Sequence, residues 1–208
     1  MKKILAFDLD HTLFDTVAFK HDLFLLFQKN GLPFEVAEKT YQEQIRLNNG
    51  NYSFSKHIRL LHEKYDFDTM SLEQAIQQFF TSDFTKYLLH SLNDLAAILK
   101  DYDTFIITKG DPDVQWAKIR QSKLNRILSE EQVVITDIKH EASIWKELND
   151  NGGVYINDNW QETQHLMGLF PQMRFILYIR KDANKFYDPQ TVTIPTFKTL
   201  DELKTFMV

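Results

Sequence analysis

Apolar and polar positions divide the chain into two textures. The first apolar run, Ile4-Leu5-Ala6-Phe7, stops at Asp8 and predicts a strand over residues 3–7. From Val17 to about Lys100 the spacing is helical. Phe19, Leu23, Phe24 and Phe27 share one face of a helix that Gly31 and Pro33 end. Further helices are predicted over about 35–47, closed by Asn48-Asn49-Gly50, and over about 55–65. Another starts at Ser71, which with Gln74 forms a capping-box pattern, and one more spans about 84–99, broken near Ser91. After Asp103 short apolar runs alternate with helical stretches. Strands are predicted at 104–108, 133–136, 153–157, 174–179 and 192–196, with helices starting near Pro112, Ala142, Trp160 and Thr199. Pro112 after Asp111 is a favourable helix entry. Strand, helix, strand in repetition implies crossover connections, hence an α/β fold with a parallel sheet. A helical insertion follows the first strand directly.

The totals narrow the picture. A length of 208 residues suits one medium domain or a core with an insertion, with enough apolar material to fold without staples. The 17 phenylalanines read as aromatic core filling. A formal net charge of -5 gives no general attraction to nucleic acid or an anionic membrane. A site that handles phosphate must therefore create its own local positive charge. Absence of cysteine excludes disulfides and thiol chemistry and suits a reducing compartment. The basic start, Met1-Lys2-Lys3, is followed by too short an apolar run for a signal peptide, and no stretch reaches the ~18 apolar residues of a membrane span. The expectation is a soluble cytoplasmic protein without nucleic-acid or membrane partners.

In open parallel sheets, ligands bind outside the carboxyl ends of the strands. The first strand delivers Asp8 and Asp10 there. The run at 104–108 delivers Thr108 and then Lys109, that at 133–136 delivers Asp137 and Lys139, and that at 153–157 delivers Asp158. Each residue alone has a plain explanation as a turn, cap or solvated side chain. The acid pair is harder to dismiss, because two carboxylates ending a buried strand cost free energy unless a cation compensates them. Oxygen ligands from Asp8 and Asp158 suit Mg²⁺, which keeps waters and favours phosphate oxygens. Lys139 and Thr108 would then hold a phosphate, Asp8 would attack it, and Asp10 would move protons.

At this point "FDLDHTLFDT" resembles the first motif, D-x-D-x-T, of the haloacid dehalogenase (HAD) superfamily. "FIITKGD" is similar to its second motif, Lys139 to its third, and "VYINDNWQE" to its acidic fourth. The resemblance spans the chain. It implies a Rossmann-like core over residues 1–15 and 91–208 and a small helical cap over 16–90. It implies Mg²⁺-dependent phosphoryl transfer through an aspartyl-phosphate. Asp8 would be nucleophile and metal ligand. Asp10 would be general acid/base, with its backbone carbonyl on the metal. Thr108 and Lys139 would bind the phosphoryl group, with Lys109 reaching a substrate oxygen or the cap, and Asp158 would hold the metal. The family's dehalogenases typically lack the second acid. Departures are His11 for a frequent Gly, His140 after Lys139 for a frequent Pro, Asn157-Asp158-Asn159 for Gly-Asp-Ser, and Glu162 for Asp. Glu162 reads as metal support or as a helix cap, and His11 as part of the leaving-group pocket or as a loop residue. The expected function is a phosphatase of small phosphomonoesters. The alternatives are a phosphomutase and a non-catalytic Mg²⁺/phosphate-binding module.

Overall fold

A computed structural model describes residues 2–48, 50–65, 69–180 and 191–207. Among these, six parallel strands form one sheet in the order β3-β2-β1-β4-β5-β6. They are β1 (Lys3–Phe7), β2 (Tyr102–Lys109), β3 (Val133–Thr136), β4 (Val154–Asn157), β5 (Arg174–Tyr178) and β6 (Thr196–Phe197). Phe7 is in register with Ile106 on one side and Ile156 on the other. The chain builds outward from β1 in both directions, so the switch point of the sheet lies between β1 and β4, where a ligand crevice is expected.

Both faces of the sheet are covered, which is why β1 reads as an unbroken apolar run. Leu5 and Phe7 face a cluster with Ile106, Ile156, Leu95 and Leu203. Ile4 and Ala6 face the opposite cluster, with Tyr155, Trp145, Leu148 and Leu166. The helices that cover the two faces are α5 (Leu92–Leu99), α6 (Pro112–Gln121), which adds Ile119, α7 (Ile144–Asp150), α8 (Trp160–Leu169) and α9 (Leu200–Met207). The break expected near Ser91 is present, since Ser91 Oγ accepts the Asp94 N–H at 3.1 Å and starts α5. The last strand differs from expectation. Pairing is confined to Thr196–Phe197. Pro195 lies in the middle of the apolar run and has no N–H for the ladder, although its carbonyl accepts from Leu177.

Between β1 and β2 lie α1 (Thr16–Lys29), α2 (Phe34–Leu47), α3 (Phe54–Lys64) and α4 (Thr69–Phe80). The last of these begins before Ser71, which falls inside its first turn. Leu23, Phe24 and Phe27 pack with Tyr41, Ile58, Leu61, Leu72 and Ile76 in a core of their own. Phe19 instead joins Phe14, Phe84 and Tyr87 at 5.3–5.6 Å between ring centroids, an aromatic junction that fastens the insertion to the sheet. The two passages of chain that link insertion and sheet run side by side. Phe14 bridges Leu88, Leu89 N–H donates to the Leu13 carbonyl at 3.0 Å, and Asp15 N–H donates to the Tyr87 carbonyl at 2.6 Å.

His57 supplies a test of this second core. It is fully buried, with Nε2 2.8 Å from Thr40 Oγ1 and Nδ1 3.2 Å from Tyr52 OH. Burial holds it down to about 4. The unfolded chain, with a histidine near 6.5, binds the proton more readily, so the contribution is present above pH 6.5 and is lost as pH falls through 4. The expected loss between pH 7 and pH 4.5 is about 2.4 kcal/mol at ~1.36 kcal/mol per unit. Urea unfolding at pH 7 and pH 4.5 reads it, and His57→Gln should flatten the slope. An unchanged slope in the variant would remove His57 as the cause.

Candidate active site

The loop after β1 is held tightly. Asp8 N–H donates to the Ile156 carbonyl at 2.9 Å, which continues the sheet pairing one residue past the strand. The amides of Leu13 and Phe14 both reach the Leu9 carbonyl, at 3.0 and 2.9 Å, and fold the chain back. His11 sits at φ 65°, in the left-handed region that favours glycine. Its Nδ1 accepts a hydrogen bond from Arg180.

The carboxylates face two different cations. Asp8 is buried and accepts from Lys139 Nζ at 2.8 Å. The same ammonium donates to Glu162 Oε2 at 2.7 Å. The Glu162 carboxylate is not the helix cap; it is engaged by Lys139 and Asn157. The Glu162 N–H is capped by Asn159 Oδ1 at 3.0 Å, while the carboxylate secures Lys139 and accepts from Asn157 Nδ2 at 2.8 Å. Asp10 turns toward α6 and α1. It accepts from Lys118 Nζ at 2.6 Å, from Gln115 Nε2 at 2.7 Å and from Thr16 Oγ1. Gln115 Nε2 also lies 2.6 Å from Thr108 Oγ1, tying the end of β2 to the same network. Asp8, Asp10, Thr108, Lys109, Lys139 and Asp158 all line one cavity of about 410 Å³ above the switch point. Lys109 is exposed and faces the insertion, its Nζ 3.3 Å from where a Cβ on Gly50 would stand.

No protein-family model matches the chain, and no curated relative matches it in sequence. Solved structures match it in shape. A haloacid dehalogenase-like hydrolase of Burkholderia xenovorans LB400 superposes with a TM-score of 0.75 at 18% identity, over 96% of each chain. The chain has the haloacid dehalogenase fold. A HAD hydrolase of Bacillus subtilis, bound to magnesium, matches with a TM-score of 0.63 at 19% identity, over 99% of this chain and 98% of that one. An L-2-haloacid dehalogenase of Xanthobacter autotrophicus with chloropropionic acid covalently bound matches with a TM-score of 0.65 at 13% identity, over 100% and 98%.

Within this HAD fold the electrostatics separate the acids. Burial pushes Asp8 up to about 6, opposed mainly by Lys139. Burial, and then the charge of Asp8, push Asp158 up to about 8. Asp10 is half-buried, and Lys118, Thr16 and Gln115 outweigh its desolvation and hold it well below the usual carboxylate range. Asp10 is therefore held as the anion, whereas Asp8 and Asp158 lack enough positive charge to ionise together. A divalent cation between them would supply it. The donor set fits Mg²⁺: two carboxylates and the Asp10 carbonyl are hard oxygens. Among the described residues no group of three or more His, Asp or Glu side chains encloses a metal.

Four residues of the site escaped the sequence reading. Gln115 and Lys118 are a polar pair set among buried Val114 and Ile119 on one stripe of α6, and that mismatch was the available signal. Arg180 follows β5 and would have been found by extending the strand-end rule to a fifth strand. Thr16, the first residue of α1, carried no separate mark. Among the described residues no helix is long and apolar enough to cross a membrane.

Proposed function

We propose that the chain is a HAD hydrolase, a Mg²⁺-dependent phosphatase of small soluble phosphomonoesters that works through an aspartyl-phosphate. The observation that carries this reading is Asp10, a second carboxylate beside Asp8 held by three donors. Displacement at phosphorus leaves an alkoxide that needs a proton and then requires an activated water. Displacement of halide from carbon has no leaving oxygen to protonate, which is why the dehalogenase reading is the weaker one.

In this reading Asp8 Oδ attacks phosphorus and the alcohol departs. Thr108 and Lys139 bind the phosphoryl oxygens as charge moves onto them, the main electrostatic contribution. Lys109 contacts a substrate oxygen from the cavity rim. Water then attacks the acyl phosphate, and Asp10 takes its proton. Asp10 also protonates the leaving oxygen in the first displacement. The donors around it favour the ionised form, the state from which the second displacement starts. Bound by Asp8, Asp158 and the Asp10 carbonyl, Mg²⁺ would neutralise phosphate charge and hold it in line with Asp8. Residues 16–90 act as a cap over the core of 1–15 and 91–208, excluding bulk water and selecting the leaving group. The substrate is a cytoplasmic small molecule and not a nucleic acid.

The test is phosphate release from p-nitrophenyl phosphate, with Mg²⁺ and with a chelator. Turnover that needs the metal is expected, and Asp10→Asn should cut it by about 10²–10⁴-fold. Halide release from 2-chloropropionate without phosphate release would replace this reading with a dehalogenase. Metal-independent binding without turnover of either would leave a phosphate-binding module.

A further inference from the structure

Beyond Asp10 a second cavity, of about 160 Å³, opens between the sheet and the helical insertion. It shares Asp10, His11 and Lys109 with the first cavity, so it lies on the side from which a leaving group would extend. Its volume admits about five water-sized groups. One wall is aromatic, from Phe19, Tyr41 and Tyr52. The opposite chemistry comes from Lys20, one turn into α1, whose Nζ stands 5.6 Å from the centroid of the Tyr41 ring. Among the described residues Lys20 makes no hydrogen bond or ion pair. The charges that reach it are Asp10, Lys118, Arg180 and Glu38. Lys118 is spent on Asp10, Glu38 is exposed, and the guanidinium of Arg180 bonds the imidazole of His11 at the boundary between the cavities.

A second observation comes from α2–α3. Asn51 is nine-tenths buried and lines the same cavity. Its Nδ2 donates to Asp137 at 3.0 Å, but its Oδ1 has no protein partner. An orphaned buried acceptor is costly, and a ligand hydroxyl would satisfy it. Lys20, its ammonium beside the Tyr41 ring and lining the same cavity, offers an anion a cationic contact in a protein of net charge -5.

We propose that this cavity is the leaving-group site and that it selects short phosphomonoesters whose leaving group carries a carboxylate for Lys20 and a hydroxyl for Asn51 Oδ1. The inference rests on the phosphatase reading and adds the substrate class. Neutral alcohols of the same length leave Lys20 desolvated and unpaired when they fill the cavity.

The experiment compares kcat/KM for 3-phosphoglycerate and glycerol 3-phosphate, which share a skeleton and a hydroxyl and differ in a carboxylate against a hydroxymethyl group. p-Nitrophenyl phosphate serves as the control for the reaction itself. A preference of about tenfold or more for the carboxylated ester is expected, the size of one charge-assisted hydrogen bond. Lys20→Met and Lys20→Gln should each collapse that ratio to within about twofold, and Lys20→Arg should retain most of it. Hydrolysis of p-nitrophenyl phosphate with no preference between the two esters overturns the inference and leaves the phosphatase reading standing. So does a preference that survives both neutral variants. Failure to hydrolyse all three esters overturns the phosphatase reading, and the substrate class with it.

Discussion

Asp8→Asn is expected to lower turnover of an aryl phosphate by at least about 10⁴-fold, the scale seen when a nucleophile is removed. The protein should remain as stable as before, or become more so. The backbone of residue 8 is fixed by its bond to Ile156, which the substitution leaves in place. The side chain is buried, and burial already disfavours its charge, up to about 6. A carboxylate raised in this way contributes stability below its unfolded value near 4 and loses it as pH rises through 6, so at pH 7.5 the charge is a burden that asparagine lacks. Lys139 keeps Glu162 as a partner. Rate and urea unfolding on one preparation read both effects. A variant within a hundredfold of the parent rate would place the nucleophile elsewhere.

Lys139→Met should have the largest effect on stability. Lys139 is 8% exposed and is the ammonium bonded to both Asp8 and Glu162. Methionine keeps the apolar stem and removes the charge, leaving buried carboxylates without it. Breaking a buried pair in this way costs about 3–5 kcal/mol. For a chain of this size that corresponds to roughly 6–20 °C in Tm. The loss should be greater at pH 7.5 than at pH 5. Asp8, pushed up to about 6, is largely protonated at the lower pH and needs the cation less. Thermal unfolding at both values checks this. Equal losses at the two pH values would mean that the stem of Lys139, and not its charge, holds the site together.

Much of this architecture was legible because it is written along single strands. β1 and β3 match their expected limits because an apolar run ends at a polar residue in each. Four neighbouring parallel strands then bring their last residues into one row. For that reason Asp8, Asp10, Thr108, Lys109, Lys139 and Asp158 could be gathered from the chain and are found around one cavity. Their chemical roles are a further step, taken under the proposed function. What escaped depends on how helices dock. Lys118 and Gln115 meet Asp10 only because α6 presents one particular stripe to β1. Lys20 and Asn51 meet each other's cavity only through the packing of α1 against α2 and α3. Helical spacing gives the buried side of each helix but not its neighbour. The left-handed backbone of His11 is similarly invisible, because nothing in the letter H marks a φ of 65°.

The two chain passages paired at Phe14 and Leu88 have a consequence for engineering. Because departure and return lie a hydrogen bond apart, the four intervening helices form an exchangeable cassette. A foreign bundle transplanted between these two points would meet an unchanged set of strand ends. The first turns of its leading helix would have to be copied, since Thr16 reaches the Asp10 carboxylate from there, and so would the Phe84 and Tyr87 rings that Phe19 packs against. New selectivity would then come from swapping one contiguous block, with the chemistry inherited intact.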